Sequence, residues 1–175
     1  MVMLKAVVDT GPLFTMLTVN YVQVTGITDE KRRSILGKVV SGDVLRIPTF
    51  EEGYRGLFDS IGRLLTTSHV VGELQGLENG RLKLYGDKLG KFWSSALEFL
   101  GRKNVEERLV ALVAMHAQPV LRDAICLVGP TDTGLVDLAR KEGCALFTDD
   151  RRTLAPPAWR NGVDCRLVSQ LIGTD

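Results

Sequence analysis

The sequence predicts an α/β fold, a three-layer sandwich whose central, mainly parallel sheet is flanked by helices. Short apolar runs of strand length, LKAVV at residues 4–8 and CALFT at 144–148, lie far apart in the chain. Between them run segments whose apolar residues recur at helical spacing, so successive strands are joined by crossovers and lie parallel. The 175 residues are 45% hydrophobic and 25% charged, an ordinary globular composition at a length that suits one domain with a sizeable core.

Taken in order, residues 4–8 read as a short buried strand. Gly11-Pro12 follows, and Pro12 suits the first position of a helix running to about Val22. Thr28-Asp29-Glu30 opens a second helix, with Leu36, Val39 and Val40 on its apolar side. Gly42, Pro48 and Gly53 punctuate the next stretch, and Leu57, Ile61 and Leu64 continue at helical spacing. Residues 64–67 suit a short strand. Ser68 is then a good N-cap for a helix holding Val70, Val71, Leu74 and Leu77.

Residues 88–100 form another helix, with Phe92, Ala96, Phe99 and Leu100 on one face. Residues 106–117 read as helical, and Pro119 starts a helix through Leu127 that Gly129-Pro130 breaks. Residues 131–142 make a short helix stopped by Gly143. Residues 144–148 are the second clear buried strand, and 163–168 are a candidate third. With no internal repeat, linker or low-complexity tract, residues 1–175 read as one domain.

Composition narrows the function classes. The three cysteines, Cys126, Cys144 and Cys165, are odd in number, widely spaced and set in apolar segments, so each reads as a reduced core thiol. His69 and His116 are the only histidines, which excludes a zinc site built from several of them. The net charge of +1 provides no broad basic footprint for nucleic acid, and leaves room only for a local patch. Asp9 and Pro12 interrupt any signal-peptide core, and no apolar run approaches the length of a membrane span. A cytoplasmic protein with no membrane partner is the expectation.

The chemistry-bearing residues are acids. Ligands of such sheets collect outside the carboxyl ends of the strands. Asp9 stands at the carboxyl end of the first strand, and Asp149 and Asp150 directly follow the strand at 144–148. Asp132 begins its helix and reaches the same edge if the preceding loop brings it there. Glu73 lies between Val70 and Leu77 at spacings that put it on the inward-facing stripe, where an unpaired carboxylate is costly. Each acid also has a plainer role. Asp9 as a helix cap is disfavoured if Pro12 opens the helix, because Gly11 then holds the cap position. Asp132 suits a helix N-terminus by its charge, Glu73 the edge of its stripe, and Asp149 or Asp150 a turn.

Four motifs, VVDTGPL, TTSHVVGELQGL, GPTDTGLVDLAR and LFTDDRRTL, resemble in order the acidic motifs of the PIN-domain ribonucleases, a family that includes the VapC-type toxins of toxin–antitoxin pairs. The resemblance is clearest at residues 4–17 and 129–154, extends to 64–77, and spans roughly a third of the chain. It implies a PIN-like fold over residues 1–175. Position by position, Asp9 matches the family's first acid, Glu73 the second and Asp132 the third. Asp150 matches the acid of the T-x-D motif, and Thr148 its threonine. Asp149 adds a carboxylate where the family varies, so either member of the pair is a candidate ligand. The stretch 26–63 is longer than in small toxins of the family, which departs from the pattern of a standard antitoxin partner.

Clustered carboxylates repel one another, and a divalent cation reverses that penalty. Oxygen-only donors point to Mg²⁺ or Mn²⁺, with Asp9, Glu73, Asp132, Asp149 and Asp150 as candidate ligands. The resemblance implies hydrolysis of RNA phosphodiesters to 5′-phosphate and 3′-hydroxyl ends, with Asp9, Glu73, Asp132 and Asp150 catalytic. Thr10 and Thr148 are candidates to bond carboxylates or phosphate, and Arg151 and Arg152 to meet the RNA backbone. Phe92 and Trp93 suit the core better than base stacking. An RNA substrate, an antitoxin protein and a homodimer are the partners the family suggests.

The alternative is a catalytically silent PIN-like interaction module. A haloacid dehalogenase-type phosphohydrolase needs a second aspartate where Gly11 stands, and a dinucleotide site needs a G-x-G-x-x-G that is missing after the first strand.

Overall fold

The computed structural model describes residues 4–111, 113, 115 and 117–172, save the side chains of residues 120, 122 and 123. It is the expected α/β sandwich around a parallel five-stranded sheet. The strands are β1 (Leu4–Val8), β2 (Ile61–Thr67), β3 (Glu106–Arg108), β4 (Ala145–Thr148) and β5 (Cys165–Leu167), in the order β3-β2-β1-β4-β5. The order reverses between β1 and β4, and a crevice opens at such a switch point because the crossovers leave it on opposite faces. Ala6 pairs with Leu64 on one side and Ala145 on the other, and Val8 faces Phe147. Ala6, Val7, Val8 and Leu146 are fully buried, as strands covered on both faces must be.

Helix α1 (Thr10–Val24) is buried nearly all round and packs on α2 (Asp29–Leu36), α4 (Phe50–Ser60), α5 (Ser68–Leu77) and α6 (Asp87–Arg102). Phe14 and Tyr21 of α1 meet Phe92 of α6 edge-on, at ring-centroid distances of 6.1 and 5.6 Å. Phe92 is buried and Trp93 packs half-buried against the same core, as expected. The short α3 (Gly42–Leu45) is capped by Ser41, and a π-helical turn (Glu78–Leu82) follows α5. On the other face, α7 (Pro119–Glu142) lies against β1, β2 and β4, and α8 (Ala155–Arg160) packs on α7 and β5, while α9 (Val168–Leu171) leaves β5 to meet α4. None of the helices among the described residues is long and apolar enough to cross a membrane.

Several local expectations are corrected. Helix α1 opens at Thr10, not Pro12, so Asp9 does take the cap position and Pro12 falls inside the first turn, where a missing N–H costs nothing. Helix α2 ends at Leu36, leaving Val39 and Val40 beyond it. The helical spacing of Leu57, Ile61 and Leu64 is broken after Ser60, because Ile61 pairs with Leu4 and starts β2. Thr67 rather than Ser68 caps α5.

Residues 106–108 form a strand instead of a helix. They are polar, carry no apolar alternation, and are ordered by pairing with Leu65–Thr67 and by Arg63 gripping Glu106 at 2.5 Å. The rest of the helix expected at 106–117 falls partly outside the described residues, as does His116. Gly129, at φ 83° and ψ 174°, kinks α7 between the two helical stretches read from the sequence. Cys126 is exposed and Cys144 half-buried, so of the three thiols only Cys165 lies in the core.

Candidate active site

Asp9 leaves β1 with extended backbone (φ −74°, ψ 161°), which frees its side chain to turn back onto the chain it caps. Its Oδ1 accepts from the Thr10 N–H at 2.6 Å, and its Oδ2 accepts from the Thr148 hydroxyl at 2.6 Å. Its own N–H donates to the Phe147 carbonyl at 2.9 Å, tying the ends of β1 and β4 together. Cap and site residue are thus the same side chain.

The fully buried Thr148 spends its hydroxyl twice, donating to Asp9 and accepting from the Asp150 N–H at 2.9 Å. Asp150 Oδ1 in turn accepts from the N–H groups of Arg152 (3.1 Å) and Thr153 (2.7 Å), an Asx-type turn that sets the carboxylate's direction. The buried Thr10 donates its hydroxyl to Glu73 Oε2 at 2.6 Å. Glu73 is exposed on α5, whose buried residues are Val70 and Leu74. It therefore lies off the inward stripe expected for it and is held from the α1 side. The half-buried Asp132 follows the Gly129 kink, which a Thr133 hydroxyl bond to the Gly129 carbonyl (2.7 Å) braces.

The electrostatics tie the four acids together. Burial pushes the Asp132 carboxyl up to about 7, and the charges of Asp9, Asp150 and Glu73 add to the rise. Burial likewise lifts Asp9 to about 6, against the hydrogen bonds from Thr148 and Thr10, while Glu73 and Asp150 push it further up. Four acids delivered by β1, α5, α7 and the end of β4 thus repel one another across the switch point of the sheet.

Among the described residues, no three acid, histidine or cysteine side chains close into a ready-made cation cage. Asp9 has both oxygens engaged by Thr10 and Thr148, and one oxygen each of Glu73 and Asp150 is engaged too. A hard cation that keeps most of its waters and takes one or two carboxylates suits such a donor set, whereas a metal needing a closed shell of protein ligands does not.

Asp149 departs from the group. Its Oδ2 accepts from the Tyr54 hydroxyl at 3.0 Å and its Oδ1 from the Ser169 N–H at 2.8 Å, so both oxygens are turned to α4 and α9. Arg151 and Arg152 are exposed and form no ion pair among the described residues, which leaves their charges to solvent or ligand. The long stretch 26–63 supplies α2, α3 and α4, and with them Tyr54. Sequence patterns offered no signal for Tyr54 or Ser169, since the contacts span 95 and 20 positions. A cavity of about 1080 Å³ opens on this same stretch beside Leu36, Leu45 and Phe50; its lining includes Asp29, Glu30 and Glu51 but not Asp9, Glu73, Asp132, Asp149 or Asp150.

Fold and site together define a class, a doubly wound parallel α/β protein with an acidic cluster at its topological switch point. No family model, no curated protein and no solved structure matches the chain.

Proposed function

We propose that this chain is a metal-dependent endoribonuclease of the PIN type, with Asp9, Glu73, Asp132 and Asp150 as its acidic centre. The observation that carries the reading is the repulsion that Asp9 and Asp132 feel from the other acids, carboxylates from four separate elements, with no lysine or arginine among the described residues lowering either one. Uncompensated acids at one point are a cost to the fold, and cation binding is the usual function that offsets it.

Mg²⁺ or Mn²⁺ held by these residues would neutralise them and lower the barrier for water to attack a phosphodiester. The chain's own residues do the arranging. Thr148 fixes Asp9 and the backbone of Asp150 with one hydroxyl, and Thr10 fixes Glu73. Arg151 and Arg152 are exposed, follow Asp150 directly in the chain and would supply positive charge for RNA phosphates beside an otherwise anionic site. Water adds to phosphorus, the bond to the 3′ oxygen breaks, and that oxygen takes a proton, giving the 5′-phosphate and 3′-hydroxyl ends of the family's pattern. A toxin role, an antitoxin partner and a homodimer belong to the same proposal.

RNA cleavage with Mn²⁺, abolished by EDTA and by Asp9→Asn and Asp150→Asn with the fold intact, is the expected result. Unchanged cleavage in both variants would refute the site. A silent interaction module is told apart by thermal melting, since it gains no stability from millimolar Mn²⁺.

A further inference from the structure

Two consecutive aspartates diverge at the end of β4. Asp150 is aimed by the turn that follows it, through the Arg152 and Thr153 N–H groups. Asp149 is tied backwards, to a side chain of α4 and a backbone group of α9. The Tyr54 ring is 1% exposed, and burial together with the Asp149 charge pushes its hydroxyl pKa upward, so the phenol stays protonated and donates to the carboxylate. Helix α4 is itself pressed onto α9, because Gly53 lies so close to Ile172 that a Cβ there would stand 2.9 Å from the Ile172 Cβ.

We propose that Asp149 is a positioning residue, through which α4 and α9 clamp the turn that presents Asp150 to the acidic centre. The stretch 26–63 is on this view part of the functional apparatus, because it supplies the buried phenol at the other end of the clamp. Asp9 is held by donors of the site itself, Thr10 and Thr148, whereas Asp149 is held by α4 and α9, so turning it onto the centre would pull it off both donors and strand a buried hydroxyl. A simple cap on α9 explains the Ser169 bond but not the Tyr54 bond. The inference rests on the nuclease reading only in naming the centre that Asp150 serves.

The test uses the full chain with Tyr54→Phe, Asp149→Asn, Asp149→Ala and Asp150→Asn, and three readouts. Amide hydrogen exchange at Arg152 and Thr153 reports the clamp without any metal. Mn²⁺ affinity, from the resonance of the free ion, reports the centre, and RNA cleavage reports turnover. Tyr54→Phe is expected to speed exchange at both amides and to weaken Mn²⁺ about tenfold, in the range found for outer partners of metal ligands. Asp149→Asn keeps one acceptor and should match it, Asp149→Ala should exceed it, and Tyr54→Phe combined with Asp149→Asn should be no worse than the stronger single change.

Asp150→Asn should cost more than any of these. Asp149→Asn as damaging as Asp150→Asn, with Tyr54→Phe silent, would make Asp149 a ligand and overturn the proposal. Unchanged exchange at Arg152 and Thr153 in Tyr54→Phe would overturn it as well. If the wild type binds Mn²⁺ but cuts no RNA, the nuclease reading fails, and exchange and Mn²⁺ affinity still decide the clamp. If it binds no Mn²⁺, exchange alone decides.

Discussion

Asp132→Asn should make the cation-free protein more stable at pH 8 and change nothing at pH 4. Burial and the charges of Asp9, Asp150 and Glu73 raise the Asp132 carboxyl from 3.8 to about 7. An acid whose pKa is raised by folding binds its proton more tightly in the native state than in the unfolded chain. Stability is therefore lost as pH climbs from about 4 to about 7, and the full penalty stands above that. A rise of about 3 in pKa corresponds to about 4 kcal/mol. Water at the half-buried carboxylate screens this, and the repulsion is shared with Asp9, so about 2 kcal/mol is the working figure.

For a chain of this size that is roughly a 4–8 °C rise in Tm. The assay is thermal melting of variant and wild type in EDTA across pH 4–8, read as their difference so that other titrations cancel. A variant less stable than wild type at pH 8, or one shifted equally at pH 4 and pH 8, would refute the placing of Asp132 among like charges.

Four further outcomes follow from the same geometry. Thr148→Val keeps the shape of a fully buried side chain but removes a donor to Asp9 and an acceptor for the Asp150 N–H, so urea unfolding should show a loss of about 1–3 kcal/mol; an unaltered midpoint would mean the hydroxyl holds neither. Gly129→Ala forces a side chain into φ 83°, ψ 174°, and should cost about 1–3 kcal/mol and weaken Mn²⁺ binding by moving Asp132. Gly72→Ala, in open space on α5, should stabilise by about 0.5–1 kcal/mol and leave Mn²⁺ binding alone. Gly53→Ala meets Ile172 at 2.9 Å and should lower Tm by pushing α9 off α4; an unchanged Tm would show that the two helices are not in tight contact.

The strongest local signals in the sequence concern elements that satisfy themselves. β1 and β4 are apolar because they are covered on both faces, the apolar face of α6 packs as its spacing implies, and Gly143 ends α7 at φ 58°. The motifs also named Asp9, Asp132 and Asp150, acids at strand ends or a helix start that stand out against an apolar background, and Glu73, which lies within α5 and on a different side from the one its spacing suggested. Less legible were elements whose stability comes from a distant partner. β3 is three polar residues that become a strand only beside β2, and Ile61 leaves a helical rhythm to pair with Leu4.

Tertiary structure alone decided the strand order, and with it that β1 and β4 are neighbours and Asp9 shares a hydroxyl with the T-x-D turn. It also separated Asp149 from Asp150, which sequence treats as one acidic pair. Periodicity and turn chemistry are properties of a few adjacent residues and can be read from them. The direction a carboxylate takes is set by the donors nearest to it, and for Asp149 these arrive from 95 positions away in one direction and 20 in the other.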